Sequence, residues 1–554
     1  MTGAQYIVDS LVKRGVTDAF GIPGGVILPL LYELDNRKTE LAPHLSYHEQ
    51  CAGFAACGYA QASGKLGVAY ATRGPGFTNL ITAIADAYYD SLPVIFITAH
   101  SAPCPPKGMR VMADQEIDTC SMVSNITKKA ERLDNPISFA DYFEELCDIA
   151  MNGRKGPVFL DVSTRILSQE VHNRTNVVRS EKQYTKSFDA NKIVEALRNA
   201  KRPVILAGDG VNQANARNLF LQFCKKANIP VISSRFTHDI LGGSEQYYGY
   251  VGSHGMRCAN FILSKTDLIL SLGNRLHFPP KSETFGEILK HARVIRCEID
   301  NSEFYRDIPN TTIVQANVRD VLSSLCQIED YGNHAEWINV CNTLKEKLSA
   351  TDMNSAVETI SNILNMIPSS CAISNDVGNN EFWVSRACVQ SGIANRTYYS
   401  KSFGALGCGL GKAIGLYYAT RKPVLCFVGD QGLQINIQEL QYISQHQLPI
   451  TIVLLNNQSS GMIKDREAVV FKRLVHTTPE SGYRSPDFKE VCEAYGIEYI
   501  SVNIIDKLSL EIPSFVEIMI EESLALYPSL PRGKNCQDMQ PNLSIELFDH
   551  LNSL

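Results

Sequence analysis

The segment between Pro423 and Asn457 constrains the fold of this 554-residue chain more than any other stretch. Pro423 to Val428 (PVLCFV) is a short apolar run typical of a buried strand, and Pro449 to Leu455 (PITIVLL) is a second, β-branched one. Between them, apolar side chains recur at helical spacing from Ile435 to Gln445. The usual right-handed crossover makes the two strands parallel neighbours or near neighbours. The segment therefore predicts a parallel α/β sheet.

Polar residues follow both of these strands. Asp430 comes directly after the first run, and Asn457 comes directly after the second. The carboxyl ends of parallel strands share one edge, where open α/β sheets bind ligands. One carboxylate and one amide oxygen suit Mg²⁺ that completes its octahedron with a backbone carbonyl, water and substrate phosphates. This edge is therefore predicted to hold a metal-bound diphosphate.

The same segment resembles a known signature. Gly429-Asp430-Gln431 followed by Asn456-Asn457 resembles the diphosphate and metal motif of thiamine-diphosphate enzymes, and the run GDQGLQINIQELQYISQHQLPITIVLLNNQSSGMI is similar to their acetolactate synthase branch. The resemblance implies that Asp430, Asn457 and a backbone carbonyl near Ser459 bind Mg²⁺. Gln431 replaces a small residue where backbone must approach the cofactor, and Gly432 is expected to restore the room. The cofactor contacts implied here are Gly429, Asp430, Gln431, Gly432, Asn457, Gly461 and Met462.

A second candidate group is Tyr47-His48-Glu49-Gln50, which precedes the small-residue stretch CAGFAACGYAQASG. Alone, a Glu at a helix start is usually a solvated cap or a partner of the helix dipole. The resemblance makes Glu49 the catalytic carboxyl that hydrogen-bonds the pyrimidine ring of the cofactor and promotes removal of the C2 proton. To share a proton with a weakly basic ring nitrogen, the carboxyl group needs a pKa nearer the working pH. Apolar surroundings, which this stretch supplies, raise the pKa in that direction. His48 is either a second acid-base group or a structural residue.

Other stretches fit the same family in the same order. Gly21 to Val26 resembles the loop that borders the reacting carbon, and its glycines permit close backbone approach. Arg73 to Asn79 (RGPGFTN) resembles the GPG-x-TN turn, which alone would indicate only a loop. Asp114 to Glu116 resembles a pair whose glutamine, here Gln115, approaches the active centre as a second catalytic residue. The expected cofactor contacts in the first two stretches are Gly24, Gly25, Pro75 and Asn79.

Two stretches are expected to complete the diphosphate end. In Asn375 to Asn380 (NDVGNN), Gly378, Asn379 and Asn380 stand where the family often has Gly-Gln-His, so amide donors remain and a titratable group is lost. Gly404 to Gly409 (GALGCG) resembles the turn whose apolar residue wedges between the two cofactor rings. Here the wedge is Leu406, preceded by Gly404. Taken singly, Leu406 would be a core residue.

Composition agrees with a multidomain enzyme. The net charge of −6 without a basic run argues against a nucleic-acid surface. The sequence contains no apolar stretch of about 18 residues, which argues against a membrane span. Sixteen scattered cysteines without a CxxC pair are typical of buried thiols in a reducing cytoplasm. Thr2 and Gln5 form a possible capping box for a first helix, rather than an export signal. A cytoplasmic protein is expected.

Alternating strands and helices predict three parallel-sheet α/β domains. The resemblance makes residues 1–170 the pyrimidine-binding domain, 188–330 a central domain and 355–522 the diphosphate-binding domain. Residues 523–554 are expected to form an irregular tail that either covers the active site or packs on the surface. In the family, Glu49 and the metal site serve one cofactor only across a subunit boundary, which implies a homodimer or a homotetramer.

FAD is a possible further cofactor of the central domain. Acetolactate synthases contact FAD at positions that any parallel α/β domain also shows at its strand ends. Here the family's Gly-Gly-Gly is altered to Gly208-Asp209-Gly210, and its paired Asp to His277-Phe278. The remaining stretches that lie at such positions are Gly252 to Gly255, Gly273 to Arg275 and Glu298 to Asp300.

The resemblance implies thiamine-diphosphate-dependent decarboxylation of a 2-oxo acid, expected to be pyruvate, and ligation of the two-carbon unit to a carbonyl acceptor. The acceptor stays open, because Lys464-Asp465-Arg466-Glu467 replaces a Gln-Trp-Glu segment that shapes the acceptor pocket. Lys464 and Arg466 either bind an anionic acceptor or are solvated helix charges. Two alternatives remain: a 2-oxo acid decarboxylase without a carbon acceptor, and a non-catalytic homologue.

Overall fold

A computed structural model describes residues 1–104, 106, 108–110, 113–172, 184–276, 288, 291–305, 308–501 and 508–554. Its strands form three six-stranded sheets, and every pairing within them is parallel. In the described residues, helices connect most of the successive strands, as is usual for parallel pairing. The predicted α/β class with three parallel sheets is confirmed.

The strands are numbered in chain order. The first sheet has the order β2-β1-β3-β4-β6-β5, the central sheet β12-β11-β10-β7-β8-β9, and the third sheet β14-β13-β15-β16-β18-β17. Their bounds are β1 Asp18–Gly21, β2 Ala42–Leu45, β3 Gly67–Tyr70, β4 Val94–His100, β5 Lys129–Leu133, β6 Val158–Ser163, β7 Pro203–Ala207, β8 Val231–Ser234, β9 Tyr247–Val251, β10 Leu268–Leu272, β11 Arg293–Glu298, β12 Thr311–Gln315, β13 Ala372–Asn375, β14 Thr397–Tyr398, β15 Val424–Gly429, β16 Ile450–Asn456, β17 Glu498–Ser501 and β18 Ser514–Met519.

The first helix begins with the predicted capping box, in which the side chain of Thr2 accepts from the Gln5 N–H and the Gln5 side chain accepts from the Thr2 N–H. The α-helices of the described residues are Gly3–Lys13, Leu28–Asn36, Glu49–Ser63, Pro75–Tyr89, Thr119–Val123, Phe139–Met151, Thr164–Ser168, Ala190–Asn199, Gly210–Gln213, Arg217–Ala227, Arg257–Lys265, Val318–Leu325, Ala335–Leu348, Ser355–Leu364, Asn379–Gln390, Cys408–Thr420, Asp430–Ile435, Glu439–Gln445, Gly461–Val470, Phe488–Tyr495 and Ile545–Ser553. Short 3-10 helices are Ser124–Ile126, Arg235–Thr237, Asn301–Tyr305 and Ser349–Asp352.

The chain forms two compact units. The first contains the first and third sheets, in the described residues up to 172 and in 370–381 and 397–523. The second contains the central sheet, in the described residues 184–369 and in 382–396 and 524–554. Residues 524–554 pack within this second unit, where Leu551 is part of the core and the Arg257 guanidinium donates to the Met539 carbonyl at 3.0 Å. The expectation of an irregular tail is wrong for its last part, which forms the helix Ile545–Ser553.

The helix predicted over residues 435–445 is divided into two, Asp430–Ile435 and Glu439–Gln445. Asn436 lies at the break, and its side-chain amide donates to the Gly407 carbonyl at 2.8 Å and to Gln50 Oε1 at 3.1 Å. These tertiary hydrogen bonds hold Asn436 outside helical geometry, which the apolar spacing alone could not reveal. The two flanking strands, β15 and β16, are parallel neighbours as predicted.

All sixteen cysteines are free thiols, and only Cys104 and Cys120 are less than fully buried. They pack as small apolar side chains, as their scattered positions predict. Over the described ranges, no helix has both the length and the apolar character needed to cross a membrane.

Candidate functional site

The carboxyl edge of the third sheet carries the expected metal ligands. Asp430 begins a helix directly after β15, and Asn457 follows β16, whose residue Leu455 is in register with Gly429. Asp430 is 2% exposed and Asn457 is 6% exposed. The parallel pairing of β15 and β16 therefore places a buried carboxylate and a buried amide at the same edge.

The turn after β16 adds further oxygens. Ser459 N–H donates to Asn457 Oδ1 at 3.3 Å, and Gly461 N–H donates to the Ser459 carbonyl at 2.8 Å. Two side-chain oxygens at this edge, Ser459 Oγ and Asn379 Oδ1, are buried without a hydrogen-bond partner. A buried oxygen without a partner calls for an explanation, such as an ion, a ligand or a water molecule that it contacts. The oxygens at this edge are therefore compatible with a bound cation and its phosphate partner.

Neutral oxygens dominate this candidate metal site. Among the described residues, no three His, Cys, Asp or Glu side chains come together in a metal-binding group. The expected ligand set contains one charged residue, Asp430, beside the amide of Asn457 and the carbonyl of Ser459. That composition suits Mg²⁺, which usually keeps several waters and binds one or two carboxylates together with substrate phosphates.

Asp430 has a partner that sequence reasoning missed. The Tyr483 hydroxyl donates to Asp430 Oδ2 at 3.0 Å, and the Gln434 side-chain amide donates to the Asp430 carbonyl at 2.9 Å. Burial raises the pKa of Asp430 to about 6, and the hydrogen bond from Tyr483 opposes that rise. Tyr483 lies 53 residues away in sequence, in a segment without helical or strand periodicity. No local signal could have found it.

Glycines border the carboxyl edge of the third sheet, where the metal ligands are expected. Gly378 and Gly404 have φ values of +127° and +70°, which side-chain-bearing residues rarely adopt. A Cβ at Gly404 would have no neighbour within 4 Å, and one at Gly429 would meet only Asn380 Oδ1, at 3.7 Å. Backbone is thus exposed to the space where a diphosphate is expected.

The two asparagines after Gly378 have partners inside the protein. Asn380 Nδ2 donates to Asn375 Oδ1 at 3.0 Å and to the Asp376 carbonyl at 2.7 Å. Asn379 Nδ2 donates to Asp465 Oδ2 at 3.2 Å. Asn380 therefore stabilises the turn, while Asn379 links the turn to the helix Gly461–Val470. Their contacts with a cofactor stay predictions.

The remaining expected contacts of the third sheet surround the same edge. Leu406 is half-buried and lies against Gly432, where an added Cβ would come within 3.3 Å of Leu406 Cδ1 and 2.6 Å of Asp376 Oδ2. The small size of Gly432 thus makes room for protein side chains. Gln431 and Met462 are half-buried, and Gly461 lies beside the Asn457 amide, 2.6 Å from an added Cβ.

The first sheet gathers a second group around Glu49. Glu49 begins the helix Glu49–Ser63, is half-buried, and accepts from Asn79 Nδ2 at 2.9 Å. An added Cβ at Gly76 would lie 3.2 Å from Glu49 Oε1. Asn79, expected as a cofactor contact, therefore orients the Glu49 carboxylate, and the GPG turn permits its close approach.

Gln115 lies at the same turn. It has a φ of +61° and an exposed side chain, and its backbone packs against Gly74, which has a φ of +60°. The Arg73 guanidinium donates to the buried Glu116 carboxylate at 2.7 Å, which ties the Gln115 segment to the GPG turn. The structure thus places the Gln115 backbone beside the GPG turn, which also approaches Glu49.

The other expected first-sheet contacts border this group. Gly24 lies against Thr72, so that an added Cβ would overlap the Thr72 side chain. A Cβ at Gly25 would have no neighbour within 4 Å. Pro75 is exposed at the first position of the helix Pro75–Tyr89.

Glu439, also missed at the sequence level, contacts the Glu49 segment from the third sheet. Its Oε1 accepts from the backbone N–H groups of Tyr47 at 2.9 Å and His48 at 3.0 Å. Burial raises the pKa of Glu439 to about 7. His48 caps the helix through Nδ1, which accepts from the Gln50 N–H at 3.1 Å. This geometry favours the structural alternative for His48.

The structure contradicts one of the two alternatives for Lys464. Lys464 is only 8% exposed, and its ammonium donates to the Glu522 carbonyl, so it is not a solvated helix charge. Arg466 is exposed. Binding of an anionic acceptor by either residue stays a prediction.

In the central sheet, the strand order reverses between β7 and β10, where dinucleotides bind in doubly wound folds. There the Gly210 N–H donates to the Gly273 carbonyl at 3.0 Å. The Asp209 carboxylate accepts from the side-chain amides of Asn212 at 3.2 Å and Gln213 at 3.1 Å. His277 and Phe278 lie outside the described residues. FAD binding stays a prediction.

Three family models match the chain: the thiamine pyrophosphate enzyme N-terminal TPP binding domain over residues 1–122, the central domain over 190–325 and the C-terminal TPP binding domain over 376–519. The chain is 30% identical over 550 residues to the acetolactate synthase isozyme 1 large subunit of Escherichia coli, with 96% of each chain covered. It is 31% identical over 559 residues to the acetolactate synthase large subunit of Lactococcus lactis, with 97% of this chain and 96% of the relative covered.

Proposed function

Because the chain belongs to the thiamine pyrophosphate enzymes, in the branch of the acetolactate synthase large subunits, we propose that it decarboxylates a 2-oxo acid and joins the two-carbon unit to a carbonyl acceptor. One observation carries the proposal. The residues expected to anchor a metal-bound diphosphate, Asp430, Asn457 and Ser459, lie at one buried sheet edge with orphaned oxygens beside them. Pyruvate is the expected 2-oxo acid.

Thiamine diphosphate, when bound, supplies the acidic carbon and the electron sink that this decarboxylation requires. Asp430 and Asn457 would hold Mg²⁺ with their side-chain oxygens, and the Ser459 carbonyl would be the third protein ligand. The open backbone at Gly404 and Gly429 would face the diphosphate. Oriented oxygens and donors of this kind fix the cofactor without reorganisation during the reaction.

Glu49 would hold a proton at the pyrimidine ring nitrogen. The hydrogen bond from Asn79 Nδ2 fixes one carboxylate oxygen, so that Oε1 is the oxygen available to the ring. The buried residues Cys51, Ala52 and Gly53 follow Glu49 in its helix and exclude water from that side. A positioned carboxyl of this type contributes about 10²–10⁴-fold to proton transfer.

The acceptor is proposed to carry no phosphate group near Lys464. The ammonium of Lys464 is engaged with the Glu522 carbonyl, and the aromatic residue of the family's acceptor segment is absent at this point. A keto acid, an aldehyde or a keto sugar remains compatible with this arrangement. Reaction without a carbon acceptor, which makes the protein a decarboxylase, is the second candidate for the same reason.

We also propose a homodimer or a homotetramer whose active sites lie between subunits, as the family resemblance implies. The sixteen free thiols support a reducing compartment, the cytoplasm. Bound FAD would be recognised by its visible absorbance in the purified protein.

Product analysis tests the proposed reaction. Purified protein with Mg²⁺, thiamine diphosphate and pyruvate should release CO₂ and form acetolactate or acetoin, and a panel of aldehydes, keto acids and keto sugars should identify the preferred acceptor. Acetaldehyde as the sole product would favour the decarboxylase. If the wild type releases no more CO₂ from any 2-oxo acid than the Glu49→Gln control does, the non-catalytic homologue is favoured.

A further inference from the structure

We infer that Tyr483 is a positioning residue for the metal, whose hydroxyl holds one carboxylate oxygen of Asp430 and leaves the other for Mg²⁺. The inference rests on the proposed function, because it assumes that Asp430 binds the cation of a diphosphate cofactor. It assigns to a residue outside the metal motif a role in choosing the metal.

The contact is direct, and its carboxylate is buried while Tyr483 is half-buried. Tyr483 donates to Asp430 Oδ2 at 3.0 Å, and Asp430 is 2% exposed. The Gln434 amide donates to the Asp430 carbonyl at 2.9 Å and lies 3.4 Å from the Tyr483 hydroxyl. Hydrogen bonds to an ionised acceptor are stronger than neutral ones, especially where water is excluded. Both ends of Asp430 are therefore fixed before a metal binds.

The occupied oxygen has a consequence for metal selectivity. Mg²⁺ requires a near-ideal octahedron with short bonds, whereas Ca²⁺ accepts more oxygens and often takes both oxygens of one carboxylate. With Tyr483 on Oδ2, Asp430 offers one oxygen to the cation. The arrangement therefore favours Mg²⁺ over Ca²⁺.

The segment that carries Tyr483 is attached to the second ligand-bearing turn. The Ser460 N–H donates to the Thr477 carbonyl at 2.9 Å, next to Ser459. The Thr477 hydroxyl donates to Glu467 Oε2 at 2.9 Å, and the Val475 N–H donates to the same oxygen at 3.1 Å. These contacts place Tyr483 without requiring a bound cofactor. They also join the Asp430 carboxylate and the turn after β16 to one segment.

Substitution of Tyr483 by Phe tests the inference through metal affinity rather than activity. Mg²⁺ and Ca²⁺ are each titrated by calorimetry into protein mixed with thiamine diphosphate. Loss of an outer-shell partner typically weakens metal binding about 10–100-fold, and we expect this for Mg²⁺. Ca²⁺ affinity should fall less or rise, because Oδ2 becomes available. The ratio of Mg²⁺ to Ca²⁺ affinity should therefore fall.

Tyr6→Phe is the matched control, since Tyr6 donates to the Glu144 carboxylate at 3.3 Å in the first sheet's part of the chain. It should bind both metals as the wild type does. Unchanged Mg²⁺ affinity in Tyr483→Phe, or an equal loss for both metals, would overturn the inference, because a merely structural role predicts no change in selectivity. If the wild type binds neither metal with thiamine diphosphate, the proposed function itself is wrong.

Discussion

The first and third sheets have the same topology and different chemistry. Numbered within each sheet, both have the strand order 2-1-3-4-6-5, whereas the central sheet has the order 6-5-4-1-2-3. In the first and third sheets the candidate residues follow the same four strands. In the first sheet, Gly24 and Gly25 follow strand one, Glu49 follows strand two, Pro75 and Asn79 follow strand three, and Gln115 follows strand four. In the third sheet, Gly378 follows strand one, Leu406 follows strand two, Asp430 follows strand three, and Asn457 and Ser459 follow strand four.

The candidate carboxyl groups, Glu49 and Asp430, follow different strands of their sheets. In the first sheet the carboxyl group follows the second strand, where it could hold a proton. In the third sheet it follows the third strand, where Asp430 meets neutral oxygens from the fourth. Under the proposed function, the first sheet would serve proton transfer at the cofactor ring and the third sheet would anchor the diphosphate, with the two sheets of one site coming from different subunits. Topology fixes where ligands can bind, and single residues decide the chemistry.

Equivalent helices, one beside the first sheet and one beside the third, also contact each other. The helices Glu49–Ser63 and Cys408–Thr420 each lead away from the second strand, and they pack closely against each other. A Cβ at Gly411 would lie 2.7 Å from Phe54 Cβ, and one at Gly415 would overlap the Ala55 carbonyl. Glycine at these positions permits the backbones to approach.

Removing the charge from the third sheet should have the largest effect. Asp430→Ala should weaken Mg²⁺-dependent binding of thiamine diphosphate by more than the roughly 10–100-fold typical of an outer-shell partner, because a direct ligand is lost. Equilibrium dialysis with the cofactor measures it. Asp267→Ala, which changes a carboxylate that accepts from the Lys201 and Arg202 N–H groups, is the control. Wild-type affinity in Asp430→Ala would remove the metal assignment.

Removing the charge from the first sheet should leave binding intact. Glu49→Gln should retain cofactor affinity and lower the rate of hydrogen–deuterium exchange at C2 by about 10²–10⁴-fold, because an amide cannot exchange a proton with the ring. Quenched-flow NMR of the bound cofactor gives the rate. An unchanged exchange rate at C2 would contradict the role of Glu49. Loss of cofactor binding would show that Glu49 is also needed to anchor the cofactor.

The helix contact can be broken without touching either charge. Gly415→Ala should lower the free energy of unfolding by about 1–3 kcal/mol, the usual cost of overpacking. Chemical denaturation measures the change. Gly25→Ala is the control, since a Cβ there has no neighbour within 4 Å, and it should remain within about 0.5 kcal/mol of the wild type. Equal stability of the two variants would show that the helices can separate at little cost.

A pH dependence is also expected from Glu439, at the contact between the third sheet and the Glu49 segment. Burial raises the pKa of Glu439 from 4.5 to about 7, so the folded state holds this proton more tightly than the unfolded state does. The resulting stability is fully present below about pH 4.5 and is lost as pH rises towards 7. Glu439→Gln keeps an oxygen for the Tyr47 and His48 N–H groups but cannot titrate.

Denaturation curves across this pH range provide the measurement. The stability of Glu439→Gln relative to the wild type should rise between about pH 4.5 and 7. Parallel stability profiles of the two proteins would show that the Glu439 carboxyl does not titrate in this pH range.

The local sequence pattern predicted part of the fold and of the candidate site. Apolar runs located β15 and β16, and parallel pairing then put Asp430 and Asn457 at one edge. Local sequence could not predict residues whose role depends on partners that are distant in the chain. Glu439 meets Tyr47 across 392 positions, and the helix break at Asn436 depends on Gln50, 386 positions away. A side chain has no periodicity that announces such a contact.

Under the proposed function, one thiamine diphosphate is held by metal at the third sheet and is tuned by a carboxyl group of the first sheet. The decisive measurement is calorimetric titration of thiamine diphosphate into pure protein, with Mg²⁺ or with a chelator, and with unphosphorylated thiamine as the comparison. We expect saturable heat at one cofactor per chain only when Mg²⁺ and the diphosphate are both present. Absence of heat under that condition, or equal binding of thiamine, would contradict it.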